Sequence, residues 1–154
     1  MADFFLDSSA LVKRYIKETG TVFVAGLVEV SNGNTIFIAQ ITKVEVSSAF
    51  ARRNKGKTLS DIDAAASLAS FNIDLTDIYY AVDMTADHVA SAADLATKHA
   101  LRGYDAVQLA TALAANYELI KNGDHSLVFV SADSELNTAA ISEGLGVENP
   151  NDYP

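Results

Sequence analysis

The chain has no cysteine, only two prolines in 154 residues, and three histidines. The missing cysteine excludes disulfide frameworks, thiolate zinc sites and cysteine nucleophiles together. Any metal would have to sit on oxygen or imidazole. His88, His99 and His125 are scattered, with no pair spaced to share a helical turn, which argues against a zinc enzyme. No low-complexity segment or internal repeat is present. No apolar run approaches the length of a membrane span, and acidic Asp3 stands where a signal peptide would be basic. The sequence therefore predicts a cytoplasmic protein without a membrane role.

Positive charge is also scarce. Eleven basic against 20 acidic residues leave a net charge of −9, the reverse of the usual excess that drives phosphate binding. The distribution is uneven, however. Residues 1–57 hold eight basic residues (Lys13, Arg14, Lys17, Lys43, Arg52, Arg53, Lys55 and Lys57) against five acidic ones, and the remainder carries a net −12. Such a basic cluster is either a solvated face or a local site for an anion.

What is present is the composition of a packed domain, 49% hydrophobic, at a length that suits one core. Asp3-Phe4-Phe5-Leu6 reads as a short buried strand, followed by Asp7-Ser8-Ser9 as helix-capping residues. Helices are predicted over 21–30 and 42–53, the latter with Ile41, Val44, Ser48 and Ala51 on its inner stripe. A third runs from a cap at 58–61 through Phe71. Thr85 caps a further helix whose core face reads as Val89, Ala92, Ala93, Ala96 and Ala100. Asp105 opens the nearly all-apolar helix that contains Ala106 to Leu113. Strands are predicted at 35–38, 78–82 and 127–131, with Asp133 just beyond the last and another helix after it. This alternation implies an α/β fold, a mainly parallel central sheet flanked by helices on both faces, with ligands beyond the strands' carboxyl ends.

That edge is where the informative acids fall. Asp7 and Asp133 follow predicted strands, and Glu45 and Asp105 lie near the starts of helices that begin at the same edge. Crowded carboxylates raise each other's pKa, and a cluster of them persists where cations neutralise it or protons are transferred. Oxygen ligands without histidine or thiolate point to Mg²⁺ or Mn²⁺, one or two ions, which can activate water and clamp a phosphodiester. The alternative for the aspartates is plain helix capping, and for Glu45 a solvated position favoured by the helix dipole. Spacing alone does not choose between them.

The words around these residues do. Phe5-Leu6-Asp7-Ser8-Ser9-Ala10-Leu11-Val12-Lys13, Thr42-Lys43-Val44-Glu45-Val46, Tyr104-Asp105-Ala106-Val107-Gln108-Leu109-Ala110-Thr111-Ala112 and Val130-Ser131-Ala132-Asp133 resemble, in this order, the four acidic motifs of PIN-domain ribonucleases. The likeness spans Phe5 to Asp133 and is closest to the VapC-like toxins of toxin–antitoxin pairs. The resemblance implies a single PIN-like domain over residues 1–154 and endonucleolytic cleavage of RNA. It implies that Asp7, Glu45 and Asp105 bind metal directly, and that Asp133, at a more variable position, does so directly, through water or by way of a second ion. Ser9 and Ser131 match hydroxyl positions that orient carboxylates or water. Lys13, Arg14, Lys43, Arg52 and Arg53 become candidate RNA phosphate contacts.

The same resemblance implies an antitoxin partner and a homodimer, with Phe23, Leu27 and the helix at 59–71 as contact surfaces or core. Its rival reading is a PIN-fold interaction module with little nuclease activity. A receiver-like module would need a second acid beside Asp7 and a lysine after the last strand. A haloacid-dehalogenase-type phosphatase would need an aspartate in place of Ser9. A nucleotide-binding module would need a glycine-rich phosphate loop. None of these features occurs.

Overall fold

A computed structural model describes all residues, 1–154. Five strands, β1 (Asp3–Leu6), β2 (Thr35–Ala39), β3 (Tyr79–Val82), β4 (Val128–Val130) and β5 (Gly146–Glu148), form one sheet in the order β3-β2-β1-β4-β5. Every neighbouring pair is parallel. Parallel pairing requires crossovers, and helices supply them. Between β1 and β2 lie α1 (Ser8–Leu11) and α2 (Thr21–Val28), and between β2 and β3 lie α3 (Thr42–Lys55) and α4 (Asp61–Asp77). Helices α5 (Ala86–His99) and α6 (Gly103–Lys121) lead to β4, and α7 (Ser134–Ser142) leads to β5. None of the helices is long and apolar enough to cross a membrane.

Strand alternation divides the core in two. Phe5 and Phe129 stack with ring centroids 5.8 Å apart, among Leu95, Leu109 and Leu136 from α5, α6 and α7. Leu6, Ile36, Ile38 and Val130 point the other way, among Leu11, Val24, Val46, Phe50 and Phe71. The sheet is thus covered on both faces, as the apolar runs in its strands require. The chain winds outward from β1 to β3, then returns to place β4 on the other side of β1. The strand order reverses between β1 and β4, and it is at such a switch point that parallel sheets open a crevice.

Four expectations need correction. Strand β5, Gly146-Val147-Glu148, has a single apolar side chain beside a glycine and so gives no strand signal, and no strand was expected there. Helix α4 runs on to Asp77 because nothing from Asn72 to Thr76 breaks a helix. The buried stripe of α3 is Thr42, Val46 and Phe50, whereas Val44 is 61% exposed and Ser48 and Ala51 lie outside. In α5 the inward residues are Ala92 and Leu95, with Val89 half exposed and Ala93 and Ala100 outside. Helices built from alanine and other small side chains show little contrast between faces, so their phase is fixed by tertiary packing.

The carboxyl-terminal residues close over the amino-terminal helices. Lys13 is 5% exposed, and its ammonium donates to Thr19 O and Asn151 Oδ1, each at 2.9 Å, and pairs with Glu18 at 3.2 Å. Phe23 stacks on Tyr153 with centroids 4.0 Å apart, and Leu27 packs on the second core. Gly20, at φ +86°, lies so near Pro150 that an added Cβ would sit 2.4 Å from its carbonyl oxygen.

Candidate active site

All four predicted acids lie at the carboxyl edge of the sheet. Asp7 follows β1 and caps α1, its Oδ1 accepting from Ala10 N at 2.9 Å. Asp133 follows β4 and caps α7, accepting from Leu136 N at 3.0 Å. Capping therefore holds at these two positions. It does not explain the others: Asp105 sits inside the first turn of α6, whose cap residue is Arg102, and its carboxylate accepts no hydrogen bond. Glu45, in the first turn of α3, accepts on Oε1 from Ser8 Oγ at 2.8 Å and from Gln108 Nε2 at 2.7 Å. It is a held side chain and not a solvated one.

Asp7 is 3% exposed. Burial pushes its carboxyl up to about 6, against the lowering influence of the Ala10 amide and the Ser131 and Ser9 hydroxyls, with the charge of Asp105 adding to the rise. Asp105 is also raised, first by desolvation, then by Asp133 and Glu45, while Arg102 opposes the shift and Glu135 adds to it. Asp105 is thus the electrostatic hub of the group. It interacts with each of the other three predicted acids and with Glu135, a fifth acid in the first turn of α7.

Ser9 and Ser131 form a relay between Asp7 and the β4–α7 loop. Ser131 Oγ donates to Asp7 Oδ2 at 2.7 Å, and Ser9 Oγ donates to Oδ1 at 2.8 Å. Each hydroxyl in turn accepts a backbone amide, Ser9 from Ala132 and Ser131 from Asp133. Donation into a hydroxyl that itself donates strengthens both bonds and fixes the Asp7 rotamer.

As they stand, no three carboxylate or imidazole groups are close enough to hold one metal ion. The donor chemistry fits a hard divalent cation nonetheless. The group offers only carboxylate oxygens, and Glu45 Oε2 and the Asp105 carboxylate are free of hydrogen bonds. A cation there would offset both the burial of Asp7 and the mutual repulsion that raises Asp105.

Several residues with a part in this geometry escaped the sequence reading. Gln108 is 2% exposed and donates through Nε2 to Ser8 Oγ, Thr42 Oγ1 and Glu45 Oε1, while its Oε1 is buried without a partner. The amide's nitrogen faces the carboxylate because the reverse orientation would set two acceptors against each other. A lone amide in the apolar run of α6 was the available signal. Ser8 and Tyr104 carried none beyond their place in the motifs, and Arg102, two residues before the third motif, carried none at all.

The basic candidates divide. Lys13 is buried under the carboxyl-terminal residues, so it is a structural lysine and not a phosphate contact. Arg53 pairs with Glu18 at 3.0 Å, and Arg14 lies 3.7 Å from Asp74. That aspartate also accepts from Tyr15 OH at 2.7 Å. Lys43 is exposed. Arg52 lines an open cleft of about 640 Å³ together with Glu45, Arg102, Tyr104, Asp105 and Val107.

Comparison with known proteins places this geometry in context. The PIN domain family matches residues 4–134. Over 146 residues the chain is 34% identical to Ribonuclease VapC45 of Mycobacterium tuberculosis (strain CDC 1551 / Oshkosh), covering 93% of this chain and 92% of that protein. Among solved structures, PAE2754 from Pyrobaculum aerophilum superposes with a TM-score of 0.65 at 16% identity, covering 98% of this chain and 85% of that one. VapBC2 from Rickettsia felis, bound to a DNA fragment from their promoter, gives 0.61 at 16% identity, with 96% and 98% covered. At these identities the two structures speak to the fold alone.

Proposed function

The chain belongs to the PIN domain family, and from that premise we propose that its 154 residues act as one domain, an endoribonuclease dependent on Mg²⁺ or Mn²⁺ and the toxin of a toxin–antitoxin pair. The observation that carries the reading is that Asp7, Glu45, Asp105 and Asp133, from four separate segments, interact at the switch point of the sheet. The ribonuclease relative, similar over nearly its whole length, supports RNA as the substrate.

Asp7, Glu45 and Asp105 would hold the ion directly, with Asp133 as a direct or water-linked fourth. Bound there, one or two ions supply Lewis acidity toward the phosphodiester and the attacking water. The chain's own contribution is positional. Ser9 and Ser131 fix both oxygens of Asp7, while Ser8 and Gln108 hold Glu45 by one oxygen and leave the other free. At neutral pH Asp7, with its carboxyl near 6, is mostly ionised and able to take a cation. The same reading includes an antitoxin that silences the site, a homodimer and a cytoplasmic location.

Purified protein is expected to cleave single-stranded RNA with Mg²⁺ or Mn²⁺ and to stop in excess EDTA. Asp7→Asn or Asp105→Asn should lower cleavage by about a thousandfold or more, since each removes a charge from the ion's ligands. Cleavage that survives EDTA or both substitutions would sink the metal reading. Metal binding without cleavage of any RNA would favour the interaction module. Co-purification with the product of an adjacent reading frame, and size-exclusion chromatography, test the partner and the dimer.

A further inference from the structure

The chain has four arginines. Arg14 and Arg53 are paired with Asp74 and Glu18. The other two, Arg52 and Arg102, make no ion pair and no side-chain hydrogen bond, although Glu45 and Asp105 line the same cleft. Guanidinium groups held apart from nearby carboxylates are available to an incoming anion, and their planar donors suit phosphate. The third feature of the cleft is Tyr104, the residue before Asp105, which is 60% exposed. Beside it the wall is open: a Cβ added at Gly103 would meet nothing within 4 Å. A large ring standing in water next to two unpaired cations and an acidic cluster has the makings of a stacking platform.

We propose that Arg52, Arg102 and Tyr104 form a nucleotide subsite beside the acidic cluster, where the Tyr104 ring stacks on an unpaired RNA base and the two guanidinium groups hold flanking phosphates. The inference rests on the ribonuclease reading of the neighbouring carboxylates and adds which residues would grip the strand and how. A base inside a duplex has no free face to stack, so the subsite selects single-stranded or looped RNA. All bases have a π face, so Tyr104 confers strand selectivity with little base preference. The placement also explains how a chain of net charge −9 grips a polyanion: the attraction is confined to one cleft wall.

The test measures binding apart from cleavage, by fluorescence anisotropy of a fluorescein-labelled oligoribonucleotide in EDTA, single-stranded and annealed to its complement. Tyr104→Ala should weaken single-strand binding about tenfold, within the range for loss of one stacked base, while Tyr104→Phe stays within about twofold. Arg52→Ala and Arg102→Ala should each weaken binding and flatten the dependence of log Kd on log salt by about 0.7. Wild-type protein that binds no single strand, duplex bound as tightly as single strand, or variants indistinguishable from wild type would overturn the subsite. Parallel cleavage assays in Mg²⁺ separate the two readings. Binding that depends on these three residues without metal-dependent cleavage keeps the subsite and removes the nuclease. Cleavage that depends on Asp7 while the three variants bind and cleave normally does the opposite.

Discussion

At the scale of single residues, Asp7 is a carboxylate that the fold buries at a cost. Its folded-state carboxyl lies near 6 against 3.8 in a free chain, so the folded protein holds the proton more tightly than the unfolded one. The stability linked to that proton is fully present below pH 3.8 and is lost as pH rises through 6. Asp7→Asn, which keeps the shape without the charge, should raise the unfolding free energy of the metal-free protein by on the order of 3 kcal/mol at about pH 8, with little gain at about pH 4. Urea denaturation of both proteins at both pH values checks this, and an equal effect at the two would refute it. Gln108 makes a different prediction. Gln108→Leu removes the donor to Glu45 together with the buried, unpartnered Oε1, so stability should change little while cleavage falls about 10- to 100-fold. Single-turnover kinetics across a Mg²⁺ titration would show the loss, and full activity with a normal Mg²⁺ midpoint would exclude a positioning role.

At the scale of elements, four of the five strands and all seven α-helices could be read from the sequence because their signals are local. Apolar runs bounded by turn residues mark the strands, and Ser60 and Thr85 cap the helices they were expected to cap. The acids were legible through their motifs. Which cations remain free was not, because Glu18, in the loop before α2, meets Arg53 of α3, and Asp74 of α4 meets Arg14, contacts between segments far apart in the sequence. Helix phase in α3 and α5 failed for a related reason: Thr42 is buried because Gln108 of α6 donates to it, a contact 66 residues distant. One junction between elements can be tested directly. At Gly20 a methyl group meets both a left-handed backbone and the Pro150 carbonyl, so Gly20→Ala should destabilise the protein by about 2 kcal/mol or more. Thermal unfolding measures it, and an unchanged melting temperature would show that the carboxyl-terminal residues can shift freely.

At the scale of the whole molecule, the order of strands in space differs from their order in the chain. Strand β1, which leads to Asp7, is flanked by β2 and by β4, and β4 arrives more than 120 residues later. The hydroxyl of Ser131 and the amides behind it, all downstream of β4, hold the Asp7 carboxylate. A chain ending at Ser126 should therefore lose hydrogen-exchange protection in β1, and protection there equal to the full-length protein would contradict this. The strand order has a further consequence during synthesis. A ribosome makes residue 7 more than 120 residues before Ser131 and Asp133, so the acidic cluster cannot assemble until that whole intervening stretch has been synthesised. Until then Asp7 stands without the Ser131 hydroxyl that holds its carboxylate.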